Sequence, residues 1–486
     1  MNTARIDSQD LIDGAMAPLF ETLQASFRGQ LLQPGDADYD TVRQIWNGMY
    51  DKRPALIAHC AGTADVIAAV NFARDSGMVT AVRGGGHNSA GTGSCDGGLM
   101  IDLSAMRAVH IDPLARRARV QGGATWGDFD REAQVYGLAT PGGLISDTGV
   151  GGLTLAGGMG WLRGKHGLSL DNLVSVEIVT ADGVPRTASE HENPELFWGV
   201  RGGGGNFGVV TSFEFQLHPV GPTVMLIMTL YPARDAARVM RGWRDFVQTA
   251  PDAFRGSMVE ISTVGEDPDL PKSTWGQPVI AVGGVWTDDA AEGERKLQPL
   301  RTLAAPLADM SGPMPYCEIQ QIFDAQAPRG VYRAYYKSLL LNALDDSAID
   351  SITARAQERP SPTSLCSVWD LGGAVKRIPA DATAFGARDM NWMLSIDMLW
   401  ESAADDKRNI NWARDFWDEM NQLSSGRAYL NFAGLADEAA TQARANHGAT
   451  HYQRLAALKA KYDPGNLFQL NQNIQPEDNA SSSPGP

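Results

Sequence analysis

From Ala55 onward the chain alternates short apolar runs with amphipathic stretches. ALIAHC (55–60) reads as a strand, and TADVIAAVNFARDSG (63–77) as a helix opened at Thr63, with Asp65 in its first turn and Ser76-Gly77 as its stop. VTAVRG (79–84) and GLMIDLS (98–104) read as two further strands around a glycine loop, which makes a βαβ-like unit. Arg117–Gln121 continues as a strand, and Thr125–Tyr136 as a helix with Thr125 as its N-cap. Beyond a glycine-dense stretch at 142–160, VSVEIVTADG and VVTSFEFQLHP are again strand-like. Ahead of all this, residues 9–31 and 38–50 read as helical, with Leu11, Ile12, Met16, Leu19, Phe20 and Leu23 at mixed i, i+3, i+4 spacing. Residues 1–219 therefore form one α+β block.

Near Gly221 the pattern changes. Longer strands (TVMLIMTLY, PVIAVGGVW, YRAYYKSLLL, SLCSVWDLGG, NWMLSIDMLW and GRAYLNF) alternate with helices such as Ala233–Gln248 and Asp406–Gln422. This is a second α+β unit, with a sheet large enough to wall a cavity. In NWMLSIDMLW the period of two puts Met393, Ser395 and Asp397 on one face and Trp392, Leu394, Ile396 and Trp400 on the other. The helix in HYQRLAALKAKYDPGNLF stops at Asp463-Pro464-Gly465, and residues 476–486 read as a disordered tail.

Composition narrows the function. The 486 residues carry a formal net charge of −16, which disfavours a polyanion-binding surface and so nucleic acid as a partner. No apolar run approaches the ~18 residues of a spanning helix. The start lacks a basic segment followed by an apolar core, so the expectation is a cytoplasmic protein. Cys60, Cys95, Cys317 and Cys366 are scattered without a CxxC pair, which points to reduced thiols and to neither a metal site nor a disulfide framework. Glycine is the outlier: 28 of the 52 glycines lie between Gly84 and Gly208, so that segment must make tight turns or close backbone approaches.

Two glycine motifs fail on context. Gly203-Gly204-Gly205-Asn206-Phe207-Gly208 fits GxGxxG, but VVTSFEFQ after it is a strand where a dinucleotide site needs a helix. RGKHG at Arg163 has Met159 where a P-loop has glycine and His166 where it has Ser or Thr. The loop Arg83-Gly84-Gly85-Gly86-His87-Asn88 is more telling, because consecutive glycines let backbone N–H groups crowd around an anion. A second glycine field runs from Gly142 to Gly152. The two together, with a histidine at one loop tip, point to a flat cofactor that carries phosphate.

Four blocks, VRGGGHNSAGTGSCDGGLMIDLSAM, TGVGGLTLAGGMGWLRGKHGLSLDNLVSVEIVTADG, ELFWGVRGGGGNFGVVTSFEFQLHP and YQRLAALKAKYDPGNLFQLNQNIQP, resemble the berberine bridge enzyme-like flavoprotein oxidases in spacing and order. These belong to the vanillyl-alcohol oxidase and para-cresol methylhydroxylase (VAO/PCMH) superfamily. The resemblance implies a two-part FAD-binding domain (1–219 and 441–475) with an inserted α+β substrate domain (220–440) built on an antiparallel sheet. It implies FAD attached covalently through His87. Ile145 stands where many members carry a second, cysteinyl link, so one covalent bond is expected. Arg83, Gly84, Gly85, Gly86, Asn88, Gly149, Gly152, Gly158, Gly208 and Val209 are expected to line the FAD, with Asn471 and Asn473 on its distal side. Thr148 falls where the family has a gatekeeper for O2. Trp161 is either a wall of the substrate cavity or a core residue, and His166 and His218 read as structural.

The catalytic base does not transfer. Relatives place glutamate at the position of Met393 and tyrosine at those of Trp369 and Phe432, and all three are replaced here. Removing hydride from an alcohol or amine still requires a group to take the heteroatom proton. The candidates are Asp397, then Tyr336 and Tyr332, with Asp370 and Tyr335 also nearby in sequence. The implied activity is an FAD-dependent oxidase acting on an alcohol, phenolic or amine-type small molecule, with O2 returning the electrons as H2O2, in a monomer or homodimer. The alternative is a flavin-dependent oxygenase or oxidative cyclase.

Overall fold

The computed structural model describes residues 14–477 except 15, 327 and 425. The expected helix over 9–13 and the tail over 478–486 lie outside the described residues.

The parallel pairs of the βαβ unit form as the sequence pattern requires. Strand Leu99–Asp102 lies between Leu56–His59 and Thr80–Arg83, parallel to both, and Gln30–Leu32 adds an antiparallel edge. The crossover helix Thr63–Ser76 ends on Gly77 at φ +68°, a left-handed stop that glycine adopts at little steric cost. Beside it stands a five-stranded antiparallel sheet in the order Val109–Asp112, Arg117–Gln121, Val209–Gln216, Leu173–Val179, Pro185–Ser189. Thr125 caps helix Trp126–Gln134 in a reciprocal capping box with Asp128.

An eight-stranded sheet, antiparallel throughout, holds the second half of the chain. Its order is Ala308–Asp309, Thr223–Pro232, Pro278–Trp286, Met258–Thr263, Leu365–Asp370, Trp392–Trp400, Arg333–Leu341, and Gly312–Pro315 also pairs with Thr223–Pro232. TVMLIMTLY is apolar throughout because both of its faces are covered: Val224, Leu226, Met228 and Leu230 join the core shared with the first half, while Met225, Ile227 and Tyr231 pack under helices. Helices Ala236–Thr249 and Ala290–Leu297 lie over this strand, while Asp346–Gln357 and Asp406–Asn421 cover other strands of the sheet, with Trp243, Ile349 and Phe416 in the shared core.

Three expectations need correction. The N-terminal helix is confined to Ala17–Ser26 within the described residues, and the one expected over 38–50 shrinks to Tyr39–Val42. The reason is tertiary: Trp46 N donates to Gly86 O at 3.0 Å and Gly48 N to Tyr332 O at 2.9 Å, and the Asn47 side-chain Nδ2 donates to Ser89 O at 2.6 Å and Ala334 O at 2.8 Å, so this segment is tied to the glycine loop and the large sheet instead of to itself. GRAYLNF is not a strand but ends in a short 3₁₀ turn, Leu430–Phe432. Ser338 Oγ accepts from Tyr429 N at 2.9 Å and donates to Phe432 O at 3.0 Å, replacing ladder bonds with side-chain bonds. Finally, Met258–Thr263 is a central strand that the sequence reading passed over.

The last long helix, Ala436–Tyr462, is kinked at Gly448 and returns the chain to the first half. Its Lys459, fully buried, donates to Asn206 O (2.8 Å), Asp463 Oδ2 (2.7 Å) and Phe468 O (2.9 Å). One ammonium thus ties the C-terminal segment to the Gly203–Gly208 turn.

Candidate active site

A long cavity runs between the glycine loops of the first half and the inner face of the eight-stranded sheet. Its glycine end exists because two loops come closer than any side chain would allow. A Cβ on Gly85 would stand 2.3 Å from the Gly149 nitrogen, and one on Gly149 would stand 2.3 Å from the Gly85 nitrogen. Gly152 faces the cavity with nothing within 4 Å of where its Cβ would be.

Of the residues expected around FAD, Arg83, Gly84, Gly85, Gly86, His87, Asn88, Thr148, Gly149, Gly152, Gly208 and Asn471 line this cavity. Gly158, Val209 and Asn473 do not. Gly158 sits behind the wall, where its N–H donates to Tyr429 OH at 3.0 Å and a Cβ would strike Ser169. Val209 is a buried strand residue. Arg83 contributes backbone and aliphatic stem, because its guanidinium is engaged elsewhere: Nε and Nη2 donate to the buried Asp102 at 2.8 and 2.7 Å.

His87 is held from three sides. Its Nε2 lies 2.5 Å from Asp147 Oδ1, its Nδ1 lies 3.4 Å from Thr148 Oγ1, and its ring stacks on Trp46 with centroids 5.3 Å apart. Burial lowers the imidazole pKa, an effect Asp147 opposes only in part. Burial by itself would raise the Asp147 carboxyl, but His87 and Arg329 outweigh it and hold the group below its ordinary range. The pair is therefore a neutral imidazole beside a carboxylate.

At the other end the sheet presents Glu260, Ser367, Trp369, Tyr336 and Asp397 to the cavity, and Phe432 closes it from the 3₁₀ turn. Met393 is on the same face but is wholly buried in the core. Trp369 and Phe432 meet edge to face at 6.4 Å, as do Tyr336 and Phe432 at 5.6 Å. Asp397 accepts from Ser395 Oγ at 2.6 Å. Burial pushes its carboxyl up to about 7, only partly offset by Ser395, and Glu260 adds to the rise. Tyr336 is driven well above the ordinary phenol value by burial, with Asp397 and Glu260 adding to it. Asp397 can thus exchange a proton near neutrality, whereas Tyr336 serves as a hydrogen-bond donor.

The remaining candidates lie elsewhere. Tyr332 precedes its strand and packs beside Trp46 outside the cavity wall. Tyr335 points to the other face and donates to Glu438 at 2.7 Å. Asp370 is locked to Arg255 at 2.7 Å. Trp161 is a core residue, stacked behind the cavity-lining Phe323 at 6.0 Å. His166 and His218 stack on each other at 3.8 Å and do not line the cavity. Sequence reasoning missed Trp46, Asp147 and Glu260. Only Glu260 had a usable signal: Val259-Glu260-Ile261-Ser262 alternates apolar and polar residues between Gly256 and Gly265.

The arrangement fits FAD. The glycine cradle admits a bulky group at close range, and Asn471 Oδ1 is buried without a partner among the described residues, an acceptor left for a donor on the cofactor.

A family model described as FAD binding domain matches residues 54–189, and one described as berberine and berberine like matches residues 428–475. (R)-6-hydroxynicotine oxidase of Paenarthrobacter nicotinovorans is 33% identical over 93% of this chain and 98% of its own length. The crystal structure of 6-hydroxy-D-nicotine oxidase from Arthrobacter nicotinovorans superposes with a TM-score of 0.81 at 29% identity, covering 93% of this chain and 99% of that one. A chitooligosaccharide oxidase structure has a TM-score of 0.82 over 94% of this chain and 99% of its own, and at 24% identity it speaks for the fold. These likenesses define an FAD-linked oxidoreductase of the VAO/PCMH fold. Within that class, the chain belongs to the berberine bridge enzyme-like family. Among the described residues, no helix is long and apolar enough to cross a membrane.

Proposed function

We propose that this protein is an oxidase that takes a hydride from a small alcohol, phenol or amine and passes the electrons to O2, with FAD tethered to His87 alone. We further propose that residues 1–219 and 441–475 form the FAD-binding domain and 220–440 the substrate domain. Bound FAD supplies the hydride acceptor, at flavin N5, and the site at which O2 is reduced.

The chain's own residues do the rest. Trp369, Phe432 and Tyr336 give a substrate with a flat apolar part a surface to lie against. Asp397, ionised above about pH 7, takes the heteroatom proton as the C–H hydrogen leaves. Ser395 fixes the carboxylate by donating to Oδ1. Thr148 keeps a small side chain beside His87, which leaves room for O2. The observation that carries this reading is Asp397 itself, a carboxyl facing the cavity whose burial tunes it to neutral pH.

The test is anaerobic mixing of the yellow holoenzyme with a panel of benzylic alcohols, phenols, amines and sugars. Bleaching of the flavin by a member of the panel is expected, followed in air by one H2O2 per product. A product that carries oxygen from O2 would overturn the oxidase reading.

A further inference from the structure

The two nitrogens of His87 face different compartments. Thr148, next to Nδ1, lines the glycine cavity; Asp147, bonded to Nε2, lines a separate polar cleft together with Arg329 and Ser146. Arg329 Nη2 donates to Gly85 O at 2.7 Å and lies 3.5 Å from Asp147 Oδ2, so one guanidinium fastens both the glycine loop and the carboxylate. Trp46 N donates to Gly86 O at 3.0 Å, and its indole stacks on the imidazole at an interplanar angle of 21°. The ring is thus fixed in plane, in rotation and in position.

A carboxylate can only accept hydrogen bonds, so the ring nitrogen facing Asp147 carries the proton and the other carries the lone pair. We propose that Asp147, backed by Arg329, is the positioning residue for flavin attachment: it fixes His87 as the Nε2–H tautomer and directs the covalent bond to Nδ1. This rests on the reading of His87 as the tether.

The step balances as follows. A bond forms between Nδ1 and the flavin 8α carbon, and that carbon gives up one hydrogen as a proton. Two electrons are left on the ring system, from which O2 removes them and, with the two protons given up through solvent by the 8α carbon and by Nε2, becomes H2O2. The imidazole becomes positively charged as its lone pair is used, and Asp147 stabilises that charge and accepts the Nε2 proton. The division of labour is that of an aspartate orienting a nucleophilic or basic histidine.

The test uses the full chain produced without flavin and mixed with FAD in air. Covalent flavin is read as fluorescence retained by the denatured polypeptide, and FAD binding by the colour that stays with the folded protein. The tether reading requires fluorescence in the wild type and none in H87A; its failure would show there, before any Asp147 variant is made. Given that, D147A should bind FAD yet attach it at least tenfold more slowly, and formate should restore the rate, because the Asp147 side chain is 42% exposed and its cleft is open to a small carboxylate. A merely structural role would not respond to formate. Attachment by D147A at the wild-type rate would overturn the proposal. Independently of any variant's folding, ¹H–¹⁵N NMR of the wild-type flavin peptide should show the alkylated nitrogen to be Nδ1, and alkylation at Nε2 would overturn it as well.

Discussion

Tyr336 and Asp397 stand directly opposite one another on adjacent antiparallel strands, and both side chains face the cavity. The pairing juxtaposes a phenol that stays protonated with a carboxyl that titrates near neutrality. Asp397→Asn should therefore lower kcat by about 10²- to 10⁴-fold, the usual contribution of a positioned base. In the wild type kcat/KM should rise with pH through about 7, and the rise should vanish in the variant. Steady-state rates across pH check both.

The same group costs stability. Asp397 has a folded pKa raised to about 7, so between the ordinary carboxylate range and pH 7 the folded state binds more protons than the unfolded, and stability falls as pH rises through that window. Asp397→Asn removes the buried charge and should raise stability at pH 8 by about 2 kcal/mol or more, seen as a higher Tm, with little change at pH 4. Thermal melts of wild type and variant at the two pH values measure it.

Asp102 behaves in the opposite sense. Burial would raise its carboxyl, but the hydrogen bond from His59 and the charge of Arg83 bring it down to about 2. The stability it contributes is complete above the ordinary carboxylate range and is lost as pH falls toward 2. Arg83→Met strands this carboxylate and should cost about 3–5 kcal/mol at pH 7. Urea titration at pH 7 and at pH 3 should show the cost shrinking in acid.

Gly85 and Gly152 line one cavity yet should fail differently. Gly85→Ala drives a Cβ into the Gly149 backbone, where neither side can yield, and should destabilise the chain by about 1–3 kcal/mol with loss of FAD. Gly152→Ala meets only open cavity. It should leave the melting temperature of the flavin-free protein unchanged while lowering FAD occupancy, as read from the ratio of flavin to protein absorbance.

The strands with a clear local pattern, alternating in Arg117–Gln121 and continuously apolar in Thr223–Pro232, form where that pattern puts them, since the side chains on each face of a strand announce what covers it. Residues 38–50 and GRAYLNF do not, because backbone groups there find partners far away along the chain: Gly48 N donates to Tyr332 O, and Tyr429 N donates to Ser338 Oγ. Such partners leave no local signal.

By itself, the chain determined its fold class, its glycine cradle and the histidine within it, because glycine spacing and hydrophobic period are local properties of a polymer. Which face of that histidine meets the cavity, which of five acid or phenol candidates reaches it, and how far a carboxyl's proton affinity moves were decided only in three dimensions. They depend on burial and on neighbours from distant segments, and electrostatic cost is set by the surrounding medium rather than by position in sequence.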